Sequence, residues 1–157
     1  MKKWMLLPLL ALAGCAQIEN YQQAVKVPAP AGLAGVWQSD GPQSALVSPQ
    51  AQASLIISDA GDTLDCRQWQ RVIAKPGKLA NIDDQLMNIN RQLRMMPLEL
   101  DNGVLHYDGL TLKKVPVATT ECQQALAESA AAPQQAVIQN IEPTLMKNHF
   151  ADRNTAQ

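Results

Sequence analysis

Two turn dipeptides constrain the fold of this chain more tightly than any other feature. Asn102-Gly103 and Asp108-Gly109 separate three short runs: Leu98-Glu99-Leu100, Val104-Leu105-His106-Tyr107 and Leu110-Thr111-Leu112-Lys113-Lys114-Val115. Asn, Asp and Gly tolerate the positive φ angles of tight hairpin turns, so the stretch predicts a three-stranded antiparallel meander. Leu105 with Tyr107, and Leu110 with Leu112, recur at every second position, which gives each strand one apolar face to lay on a core.

The chain upstream extends the same pattern. Val36-Trp37-Gln38 reads as a strand broken by Gly41-Pro42, with Trp37 a core plug or, as the functional alternative, a stacking surface. Ala53-Ser54-Leu55-Ile56-Ile57-Ser58 is a short apolar strand that stops at the turn-forming Asp59-Ala60-Gly61-Asp62 and returns through residues 63–73. On the return, Leu64, Cys66 and Gln68 share one face and Asp65, Arg67, Trp69 and Arg71 the other, unless a bulge turns Trp69 inward. Alternation leaves both arrangements open. Pro76-Gly77 marks a turn. Residues 86–96 fit two periods, but Asn88, Asn90 and Pro97 weigh against a helix, so a strand is expected. Thr120-Glu121-Cys122-Gln123 has the form of a capping box and predicts a short helix over residues 120–129. Beyond it, residues 130–157 read as a disordered or weakly helical tail, with Val137, Ile138, Ile141 and Leu145 on one face of any helix that forms.

The N-terminus carries an address. Lys2 and Lys3 precede an apolar run of about ten residues, the length of a cleavable signal and too short for a membrane span. Leu12-Ala13-Gly14-Cys15 resembles a bacterial lipobox, in which the peptide before the cysteine is removed and the cysteine acylated. Residues 1–14 then form the signal peptide, Cys15 the lipidation site, and residues 15–32, with Pro28 and Pro30, a flexible tether. Ala16 follows the cysteine, where Gram-negative lipoproteins retained at the inner membrane resemble one another in carrying Asp. The expected location is therefore the periplasmic leaflet of the outer membrane.

Loss of the signal takes the basic count from 13 to 11 against 14 acids, a net charge of −3 that argues against nucleic acid as a partner. One Phe, two Tyr and three Trp provide little aromatic mass for a core. Small domains with thin cores recruit staples. With Cys15 committed to lipid, Cys66 and Cys122 remain as an even pair in an oxidising compartment, and a disulfide between them is expected.

The run Gly61-Asp62-Thr63-Leu64-Asp65-Cys66-Arg67-Gln68-Trp69-Gln70-Arg71-Val72-Ile73-Ala74 resembles the YedD-like lipoproteins of enteric bacteria. Leu33-Ala34-Gly35, Ala45-Leu46-Val47-Ser48-Pro49, Tyr107-Asp108-Gly109 and Glu121-Cys122 continue the resemblance, which covers residues 1 to about 127 and is loosest over 80–100. It implies an envelope lipoprotein without an established enzymatic activity and brings no catalytic residues.

The titratable residues carry no recognisable catalytic or metal-binding pattern. His106 lies mid-strand with no second ligand at metal spacing, His149 sits in the tail, and Asp59 and Asp62 read as turn acids. Asp65, Asp83 and Asp84 read as solvated carboxylates without a positioned partner. No catalytic residue, metal or cofactor is assigned. The expected fold is mainly β: a small antiparallel, partly closed barrel or meander, lipocalin-like in size, over residues 33–129 with one short C-terminal helix. The expected function is a non-enzymatic binding or adaptor module, membrane-held through Cys15, with an envelope protein as partner and a cell-wall synthesis or hydrolysis enzyme as one object of modulation. The alternatives are a carrier for a small apolar ligand and, behind it, an unrecognised periplasmic enzyme.

Overall fold

The computed structural model describes residues 18–132 and 136–140. Cys15 and the signal peptide lie outside the described residues, as do His149, Ile141 and Leu145. Eight antiparallel strands follow one another in the sheet: β1 (Gly35–Ser39), β2 (Gln52–Ile57), β3 (Asp62–Gln68), β4 (Arg71–Ile82), β5 (Gln85–Asn90), β6 (Met95–Asp101), β7 (Val104–Tyr107) and β8 (Leu110–Val115). β1 pairs with both β2 and β8, and β3 pairs with β4, so the sheet closes on itself as a barrel. A helix, α1 (Thr120–Ala131), and a ninth strand, β9 (Val137–Asn140), complete the described chain.

The predicted meander is β6 to β8. Its turns hold Asn102, Gly103, Asp108 and Gly109 at φ of 49°, 79°, 51° and 74°. Inward positions alternate as expected: Leu105 and Leu112 are fully buried beside Tyr107 and Leu110. Together with Trp37, Leu55, Ile57, Leu79 and Leu98 they fill the barrel. Trp37 is a core plug, 1% exposed, its indole N–H donating to the Leu33 carbonyl at 2.7 Å.

Several local expectations give way to the closed sheet. Pro76-Gly77 is not a turn but the middle of β4, where the strand passes from β3 and β9 to β5. A side chain at Gly77 would meet the Ile89 carbonyl at 2.7 Å and Thr63 Oγ1 at 2.8 Å, so only glycine lets three strands converge there. Residues 86–96 are β-structure as favoured, yet they form two strands joined by a turn that puts Leu93 at φ 60° without a glycine. Asn90 makes that turn, its side chain accepting from Gln92 and Arg94 N–H at 3.0 Å each. The helix cap is Thr119, one residue earlier than expected; its hydroxyl accepts from Cys122 N–H.

The stretch expected as a free tether is bound to the barrel from residue 18 onward. Asn20 caps a single turn of 3₁₀ helix, Ala24 is buried on the outer face of β4 and β5, and Val27 N–H donates to the Leu79 carbonyl at 3.0 Å. Gly61 makes this crossing possible, because a Cβ there would collide with the Val27 carbonyl. Of the stretch expected as a tail, residues 137–140 form a strand, and residues 141–157 lie outside the described residues. Val137 and Ile138 extend the sheet on the free edge of β4, opposite Ala74 and Ile73, because an unpaired strand edge is the nearest partner for their backbone groups. Cys66, on the outer face of β3, is bonded to Cys122 in α1 with Cα atoms 6.0 Å apart. Leu64, Val72, Ala74 and Ala125 pack around the bond, so helix and barrel share a small second core.

Candidate functional site at the open mouth of the barrel

The antiparallel order gives the barrel two unlike ends. The tight turns after β2, β4 and β6, together with the N-terminal crossing, close one. The other is framed by the long β1–β2 loop, the Trp69-Gln70 hairpin, the turn after β5 and the Asp108-Gly109 turn. At this mouth lies an open cleft of about 760 Å³.

Local sequence explains its lining. β3 ends at Gln68, so the expected continuous strand over 63–73 is in fact a hairpin, closed by a Trp69 N–H bond to the Arg71 carbonyl at 3.1 Å. Trp69 therefore rides on the turn at the cleft rim, 44% exposed. The β1–β2 loop is drawn toward the mouth by Gln43, whose amide bonds Thr111 N–H and C=O at 2.7 and 2.8 Å. It brings Leu46 against the core and leaves Val47 79% exposed at the cleft. Ile73 and Met96 continue the apolar wall.

The polar wall comes from the inward face of β3 and β4. Asp65 and Arg67 point inward because Leu64 and Cys66 are claimed by the outer core. Arg67 Nη2 lies 2.9 Å from Asp65 Oδ2 and 3.0 Å from Asp108 Oδ2. Arg94 grips the other Asp108 oxygen. Below them, the Tyr107 hydroxyl donates to Asp65 at 2.8 Å and accepts from Asn88 at 2.8 Å, and the Thr63 hydroxyl donates to Asn88 at 2.6 Å. Burial opposes the charge on Arg67, yet its bond to the Asp65 carboxylate and the charges of Asp65 and Asp108 hold the guanidinium more firmly protonated than usual. Burial, then the Asp65 charge, pushes the Tyr107 phenol well above its ordinary value. Arg71 and Lys75 also line the cleft and make no ion pair among the described residues. Four cations thus face two carboxylates, beside an apolar wall.

This arrangement suits the binding of an amphipathic anion. Among the described residues no group of three metal-ligating side chains converges. Asp65, read from the sequence as a solvated carboxylate, is instead 8% exposed and tied into the network, because strand alternation turns it inward. Asp83 and Asp84 occupy the β4–β5 turn, and His106 faces solvent on β7. Cys66 and Cys122 lie on the outside of the barrel and do not line the cleft, although Gln68, which does, has its amide oxygen 3.2 Å from Cys122 Sγ. Sequence reasoning missed the Arg67–Asp108–Arg94 constellation. Its signal was a charged pair alternating with core residues in β3, while Asp108 was hidden behind its turn role.

Comparison with known proteins converges on one group. Residues 18–126 match the family described as "Bacterial lipocalin LPS transport optimiser YedD". The lipoprotein YedD of Salmonella typhimurium strain LT2 is 56% identical over 121 residues, covering 77% of this chain and 86% of the relative. That of Escherichia coli K12 is 55% identical over 118 residues, 75% of this chain and 86% of its own. The crystal structure of the lipoprotein YedD from Klebsiella pneumoniae subsp. pneumoniae MGH 78578 superposes with a TM-score of 0.70 at 52% identity, covering 72% of this chain and 97% of that one.

Proposed function

The chain belongs to the YedD family of bacterial lipoproteins, and from that premise we propose that it is a lipid-anchored, non-enzymatic periplasmic module that assists lipopolysaccharide transport. In this reading Cys15 carries the acyl chains, and Ala16 directs the protein to the periplasmic leaflet of the outer membrane. The barrel mouth binds an amphipathic anionic ligand. The family description turns the adaptor role toward lipopolysaccharide transport rather than toward enzymes of the cell wall.

One observation carries the reading: the open cleft sets an apolar wall beside an excess of cations, on a barrel whose interior is otherwise filled. Phosphate groups match Arg71 and Lys75, which are not committed to a carboxylate among the described residues, and short lengths of acyl chain match Trp69, Leu46 and Val47. Leu55, Leu79, Leu105 and Leu112 leave no room for a chain to thread the barrel, so the ligand lies across the mouth. The carrier alternative survives in that form, as binding at the rim rather than enclosure.

The full-length acylated protein in detergent, titrated with lipopolysaccharide and with its dephosphorylated form, tests this. Binding is expected to weaken roughly tenfold on dephosphorylation, and by a similar factor in the double variant Arg71→Glu/Lys75→Glu. Equal affinity across the three titrations removes the reading.

A further inference from the structure

The N-terminal segment builds a second charged surface, on the outer flank of the barrel up to the turn after β5. Ile18, Tyr21 and Ala24 lie on Ala80 and Ile89 of the outer β4–β5 face. Lys78, which points outward between these apolar neighbours, places its ammonium 4.1 Å from the centroid of the Tyr21 ring, and the Arg91 guanidinium stands 4.9 Å from the same centroid. Lys26, paired with Asp62 at 3.0 Å, borders the patch. Burial and then the charges of Arg91 and Lys26 pull the Lys78 ammonium below its ordinary range, as expected where like charges are gathered on one face.

The position of the segment supplies the second observation. Three residue steps separate Cys15 from Ile18, where the chain is already packed on the barrel. Fully extended, three steps reach about 10 Å. That is close to the Debye length of about 8 Å at physiological salt, within which a basic patch feels an anionic bilayer. A free tether of the length read from the sequence would have carried the barrel beyond this range.

We propose that this flank is a membrane-apposition surface, on which Lys78 and Arg91, framed by Tyr21, rest on anionic phospholipid headgroups beside the acylated Cys15. The barrel then lies against the leaflet on one defined side. Tyr21, with an apolar ring and a polar tip, suits the headgroup boundary. The proposal rests on acylation at Cys15, as the functional reading does, but is independent of what the mouth binds.

The test uses the full-length acylated protein in phosphatidylcholine vesicles with and without phosphatidylglycerol, and a fluorophore at Gln22→Cys, exposed beside Tyr21 on the proposed face, or at Thr111→Cys on β8, across the barrel. Quenching by headgroup-labelled lipid is expected to be several-fold stronger at position 22 when phosphatidylglycerol is present. The difference should shrink in phosphatidylcholine alone, at high salt, and in the Lys78→Glu/Arg91→Glu variant. Equal quenching at the two positions overturns the proposal, as does a difference indifferent to both salt and lipid charge in the unsubstituted protein. The salt series needs no charge variant, and lipopolysaccharide binding at the mouth is unaffected by either result.

Discussion

The two ends of the barrel use the same strands in opposite ways. At the closed end polar groups bond chiefly to backbone: the Trp37 indole to Leu33, the Lys114 ammonium to Gly32 at 3.1 Å, and Ala29 N–H to Asp59 at 3.0 Å. Lys114 also lies over the Trp37 ring, 5.5 Å from its centroid. At the mouth, loops are still tied to backbone by Gln43 and Asn90, but the cleft itself is crossed by bonds from side chain to side chain, through Asp65, Arg67, Arg94 and Asp108. Backbone bonds and apolar contacts fix a shape, whereas charged side chains at an open rim exchange partners when a ligand arrives. On the proposed function, stability belongs to one end and recognition to the other.

The largest effect should therefore come from the closed end. Trp37→Ala removes a side chain that is 1% exposed and leaves a cavity under Leu33, at a cost of about 3–5 kcal/mol. The midpoint of urea unfolding reads it, and the fraction still folded should bind at the mouth as before. A loss below about 0.5 kcal/mol, the range of ordinary surface changes, would mean that the closed end does not hold the fold together.

Asp65→Ala probes the boundary between the two ends. It strips Arg67 of its closest carboxylate and leaves the Tyr107 hydroxyl only the weakly accepting Met96 sulfur, at 3.2 Å. A cost of about 2 kcal/mol is expected, less than for a fully buried pair, since Arg67 keeps 28% of its side-chain surface exposed and retains Asp108. Unlike Trp37→Ala, this variant should also change affinity at the mouth, because it frees a cation there. Unchanged binding would mean that the network belongs to the closed end and serves packing alone.

What the sequence revealed divides along the same line. The meander was legible because its turns are local: Asn102-Gly103 and Asp108-Gly109 state their φ angles in their residue types. Trp37 was legible because a large ring after Gly35 in a β-prone run has few other uses. Gly77 and the segment from Ile18 to Val27 were misread because their conformation is set by strands far away in sequence, at Ile89, Thr63 and Gly61. β9 was hidden for the same reason, since only the closed sheet creates the edge it pairs with. The cleft was least visible. Arg67 and Asp108 are 41 positions apart, and no local pattern shows that barrel closure brings them within 3.0 Å.

Tyr107→Phe sharpens the comparison with the smallest effect, because its phenol stands where apolar core becomes polar network. At neutral pH the variant leaves Asn88 and Asp65 each short of one bond, a cost of about 1 kcal/mol. The sign then depends on pH. Burial first, and the Asp65 charge second, raise the phenol above its ordinary value of 10.0, so the folded hydroxyl keeps its proton where an unfolded tyrosine releases one. Stability from this group is complete below about pH 10 and falls above it, by up to about 1.4 kcal/mol per pH unit. Phenylalanine has no proton to release, so the stability gap should close, and then reverse, between about pH 10 and pH 11 in urea titrations of the two proteins. A gap that stays constant over that range would mean that Tyr107 ionises as it does in water. The polar network would then be loose, and the line dividing the two ends would lie deeper in the barrel than Tyr107.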